Sequence, residues 1–202
     1  MGAVPSIVES PAYTDVDAFS YLSVLLSIIL GLGLTQLLTA AGRLIRHRDH
    51  VRADWLPLLW ATVLLVVYVQ SWWAMFGLRA VREWTFVEFL VVLAQTTTLY
   101  MMAAVILPEQ VDETGVDLAA HYDRHHRWFF GFFLATLCIS IVKDVVITGN
   151  LPGPANVVFH GLLAAVCIAA IIASGRRTQV ALSVVGAAAV ATYIGLLFTR
   201  LH

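Results

Sequence analysis

Six long apolar runs, separated by short polar links, take up most of this chain, and they leave it few ways to fold. About 20 mainly apolar residues are needed to cross roughly 30 Å of hydrocarbon as a helix. The runs predict spans at residues 18–41, 55–78, 85–107, 127–148, 154–174 and 179–200. A lipid-embedded backbone must satisfy its own hydrogen bonds, which leaves helices or a closed barrel. Barrel strands would be about half as long and would alternate in polarity, and no such alternation occurs. Hydrophobic residues make up 60% and charged residues 12% of the 202 positions, so the links hold no soluble domain. The expected fold is all-α: one six-helix membrane domain over residues 18–202, after a short extracytoplasmic segment, 1–17. That segment carries Glu9, Asp15 and Asp17 but no Lys or Arg, so it lacks the basic start of a signal peptide.

Sidedness follows from the basic residues. Arg43, Arg46, Arg48 and Arg52 follow span 1, Arg124 and Arg127 follow span 3, and Arg176 and Arg177 follow span 5. The opposite side holds Arg79, Arg82 and Arg200. The positive-inside rule then places the first group in the cytoplasm and both termini outside. Eleven arginines against one lysine, with abundant Ala and Val, point to a bacterial chain and hence to the inner membrane. A net charge of −1 argues against nucleic acid, leaving the lipid bilayer as the partner. Cys138 and Cys167 both fall inside spans and read as small hydrophobes.

Small residues recur every fourth position in span 1 (Ser23, Ser27, Gly31, Thr35, Thr39) and in span 6 (Ser183, Ala187, Ala191, Gly195). Such ridges let helix backbones approach closely, within the bundle or in a homo-oligomer.

Ionisable groups inside hydrocarbon are costly, and they normally face the interior of a bundle. Here five spans place polar groups at one depth, in their outer halves: Gln70; Glu88 and Gln95; Lys143 and Asp144; Asn156 and His160; and Tyr193. Glu88, Gln95 and Thr98 share one stripe of span 3, and Thr136, Ser140 and Lys143 or Asp144 share one of span 4. These residues predict an outward-facing polar cavity for an ion, a proton or a small polar solute. On the bland reading, Lys143 reaches to the headgroups and the carboxylates belong to the interface.

A second cluster lies on the cytoplasmic side, where His47 and His50 stand near one another and His121-Tyr122-Asp123-Arg124-His125-His126 leads into span 4. On a helix, His121 and His125 lie one turn apart, and with His126 they are candidate ligands for a divalent metal. The string resembles a histidine box of the membrane desaturases and hydroxylases, diiron enzymes with their boxes on the cytoplasmic face. That resemblance covers six residues and implies metal binding at His121, His125 and His126. His47 and His50 are spaced more tightly than the family's first box and no third box follows, so a diiron centre is not implied. The plain alternative is a solvated basic rim against anionic headgroups.

Three functions are therefore expected: a small transporter or channel, a membrane-bound metalloenzyme, or an accessory subunit of a membrane complex. The transporter reading leads, because charge from several helices at one depth has few bland explanations.

Overall fold

A computed structural model describes residues 18–81, 84–111 and 115–197. It contains six helices long and apolar enough to cross a membrane. In chain order these are α1 (Ala18–Arg46), α2 (Trp55–Met75), α3 (Phe86–Ile106), α4 (Leu118–Thr148), α5 (Pro154–Ile172) and α6 (Arg176–Leu197). Residues 1–17, Arg82 and Arg200 bear on the expected sidedness and lie outside the described residues.

The helix ends are set by local chemistry. Asp54 caps α2 by accepting from the Leu56 N–H at 2.9 Å, and Asp117 caps α4 by accepting from Ala119 and Ala120. That second cap starts α4 nine residues before the expected span, so the histidine string is helical. Thr85 and Glu88 form a reciprocal capping box on α3, and Pro154 opens α5 at a position that needs no N–H donor. The Asp54, Thr85 and Asp117 caps each replace a backbone hydrogen bond that the first helical turn lacks.

The interior is built mainly of aliphatic and aromatic side chains. On α1, Leu22, Leu26, Leu30, Leu37 and Leu44 face inward. Trp60 of α2 lies against Phe129, Phe130 and Phe133 of α4, with ring centroids 5.2–5.9 Å apart. The outer surface is equally apolar: Val24, Ile28, Val69, Val158 and Ile172 are all exposed. A soluble protein keeps such surface to small patches, whereas a lipid-facing bundle wears it all round.

The small-residue ridge of α1 does not pack inside the bundle. Ser27, Gly31, Thr35 and Thr39 are exposed, because the leucine face of the same helix takes the core. On α6 only Ser183 of the expected ridge is buried; Ala191 and Gly195 face outward. Gly33, by contrast, is needed for close approach: a methyl group there would overlap the ring of Tyr68 on α2.

The links on the arginine-rich face are tied together. Two short strands, β1 (Val51–Arg52) and β2 (Val116–Asp117), pair in parallel, with Val51 opposite Val116 and Arg52 opposite Asp117. Gly115 leads into β2 with φ of 84°, where a side chain would be strained and would also meet the His50 carbonyl. Arg43 donates to the Glu109 carbonyl, and Arg176 forms an ion pair with Asp54. Three links and the end of α1 are thus held at one face.

Candidate functional site

Towards the opposite face the helices separate around a cavity of about 620 Å³. Its walls come from the C-terminal halves of α2, α4 and α6, the N-terminal halves of α3 and α5, and Leu30 of α1. Gln70, Gln95, Lys143, Asp144, His160 and Tyr193 all line it. Antiparallel packing explains the convergence: residues late in α2, α4 and α6 stand level with residues early in α3 and α5. The two polar stripes face each other directly, since Thr136 Oγ1 donates to Thr98 Oγ1 at 2.9 Å.

Glu88 sits elsewhere. Its carboxylate accepts from the Thr85 N–H at 2.6 Å and the Thr85 hydroxyl at 2.9 Å, and the residue is not part of the cavity wall. Position one turn inside a span suggested a membrane charge, while the Thr-x-x-Glu spacing is also that of a capping box. The capping geometry is what the fold adopts.

The polar wall residues divide into two sets. His160 is buried and donates from Nδ1 to the Asn156 carbonyl at 2.9 Å, with its ring edge-on to Tyr193. The Tyr193 hydroxyl donates to Asn156 Oδ1 at 3.0 Å. Thr96 donates to the Leu93 carbonyl of its own helix, and Thr98 to the Gln95 carbonyl. Gln70, Gln95, Ser140, Lys143 and Asp144 form no side-chain hydrogen bond or ion pair with any described residue. Deeper in the bundle the wall is apolar, formed by Leu30, Leu99, Phe133 and Leu163. The cavity therefore has a polar upper part with unused hydrogen-bonding capacity and an apolar floor.

Below that floor lies a buried polar network that sequence reading missed. The Trp60 indole N–H donates to Ser183 Oγ at 3.0 Å, and the Tyr122 hydroxyl donates to Gln179 Oε1 at 3.2 Å. Gln179 in turn donates from Nε2 to the Ala170 and Ala173 carbonyls, both at 2.7 Å, closing the end of α5. Gln179 and Ser183 are four residues apart on α6, a spacing that could have flagged them as one polar face.

The histidines of α4 are not gathered into a ligand set. His121 Nε2 donates to the Val105 carbonyl at 3.1 Å, and its ring stacks on His125 with centroids 4.3 Å apart. His125 Nδ1 donates to the His121 carbonyl, while His126 is buried, donates from Nδ1 to the Asp123 carbonyl and stacks on Tyr122. The i, i+4 pair is thus together and His126 lies on another face. Among the described residues, no group of three His, Cys, Asp or Glu side chains converges as a metal site would require.

Comparison of the chain with protein-family models, curated proteins and solved structures gives no match.

Proposed function

We propose that this multi-pass membrane protein is a small transporter that binds its solute in the cavity between α2 and α6. The observation carrying the proposal is the convergence of Gln70, Gln95, Lys143, Asp144, His160 and Tyr193, from five helices, on one space of about 620 Å³. Cavities of roughly 300–1,000 Å³ with a few convergent polar groups are the usual form of small-molecule sites. The apolar floor, the packing of Trp60 against Phe129, Phe130 and Phe133, and the tied links favour a carrier over an open channel, because they fill the path to the arginine-rich face. With that face in the cytoplasm by the positive-inside rule, the cavity opens to the outside of a bacterial inner membrane.

Reconstitution into liposomes tests the reading. Screening of small solutes should find one whose uptake falls at least about tenfold in Lys143→Ala and Gln95→Ala, a loss on the scale of one or two polar contacts. Undiminished uptake in both properly inserted variants would remove the cavity from the transport path.

The outward-facing ridge of Ser27, Gly31 and Thr35 on α1 favours one companion reading, assembly with a second copy or a membrane partner. Cross-linking through Gly31→Cys in native membranes would report a homodimer directly.

A further inference from the structure

The unspent hydrogen-bonding capacity of the cavity is specific in kind. Gln70 and Gln95 offer amides from α2 and α3, and α4 offers Ser140, one ammonium and one carboxylate. Lys143 and Asp144 are consecutive, point from neighbouring sides of the helix, and do not form an ion pair with each other or with any other described residue. Both are only partly exposed, and although the Asp144 charge favours the Lys143 ammonium, neither group is closely paired, so each can take a counter-charge supplied from within the cavity. Their charges cancel, and the floor beneath them is apolar.

We propose that the solute is an amphiphilic zwitterion: one anionic and one cationic group close together on an apolar body. The anion meets Lys143, the cation meets Asp144, the amides complete both shells, and the apolar body rests on Leu99, Phe133 and Leu163. This rests on the reading of the cavity as a solute site. A lone anion would leave Asp144 uncompensated and a lone cation would leave Lys143 so. A bare ion would leave most of the volume empty, and a sugar would leave its hydroxyls unsatisfied against the floor. The same chemistry occurs in free apolar amino acids and in the headgroup region of zwitterionic phospholipids.

Calorimetric titration of the intact protein in a neutral detergent tests the assignment. The probes are phenylalanine, 3-phenylpropanoate (which lacks the ammonium), 2-phenylethylammonium (which lacks the carboxylate) and dihexanoylphosphatidylethanolamine. Wild type should bind phenylalanine or the short-chain lipid at least about tenfold more tightly than either singly charged analogue. Whichever of the two binds identifies the source. Asp144→Asn should turn the preference towards phenylpropanoate, and Lys143→Gln towards phenylethylammonium; a merely structural role would not invert selectivity in opposite senses. Equal binding of the singly charged probes, with Ser140→Trp abolishing it, would overturn the zwitterion assignment and keep the cavity as a site. No binding by any probe would overturn the zwitterion assignment alone, the uptake variants deciding the cavity; binding untouched by Ser140→Trp would overturn both.

Discussion

The Trp60 indole N–H and the Ser183 hydroxyl meet at 3.0 Å across the α2–α6 interface, 123 residues apart in the chain. Ser183 is fully buried and also lies 3.3 Å from the Tyr122 hydroxyl, so one small side chain serves three helices. Ser183→Ala removes the indole's acceptor and a neighbour of the Tyr122 hydroxyl from the core. The expected loss is about 1–3 kcal/mol, the cost of a buried unsatisfied polar group. Denaturation in mixed micelles would measure it, and an unchanged midpoint would show that the network is energetically idle.

Glu88 and Thr85 act as one capping unit. Thr85→Ala and Glu88→Ala should each cost ~0.5–2 kcal/mol, and the double variant should cost less than their sum, because the two bonds depend on each other. Solute binding should be unchanged in all three. A binding defect in Glu88→Ala at normal stability would return that carboxylate to the cavity.

Asp54 has two separable tasks, capping α2 through Leu56 and holding Arg176 of α6. Asn caps a helix about as well as Asp, so Asp54→Asn removes the charge pairing alone, while Asp54→Ala removes both. The expected order of thermal stability is wild type, Asp54→Asn, Asp54→Ala. Equal midpoints for the two variants would mean that the cap contributes nothing.

Tyr68 buries its hydroxyl without a hydrogen-bond partner among the described residues, packed against Gly33. Tyr68→Phe removes that burden and should be neutral or stabilising by up to ~1–3 kcal/mol. Gly33→Ala should destabilise, since the ring must move away from α1. A destabilised Tyr68→Phe would reveal a partner for the hydroxyl.

The six helices were legible because length and apolarity are all that a span requires. Their limits were less so at the start of α4 and the end of α1, where helix continues past the apolar run. Hydropathy fades at Asp117, but its carboxylate caps the backbone and carries the helix through the polar histidine string. Gln95 and Lys143 could be placed in one group because antiparallel helices convert sequence depth into spatial level. The Tyr122–Gln179–Ser183–Trp60 network could not, since each member alone looks like an ordinary core or interfacial residue. Glu88 shows the limit of depth as a criterion: one turn inside a span is also where a capping box puts its carboxylate.

At 31 and 29 residues, α4 and α1 are each more than 40 Å long, against roughly 30 Å of hydrocarbon. Their surplus lies at the same end, where β1 pairs with β2 and Arg43 reaches Glu109. The paired strands and these surplus turns together make a tied platform, about two turns longer than an apolar span requires. Arg46, His47, Arg48 and His50 are exposed on it, within reach of anything that approaches that face.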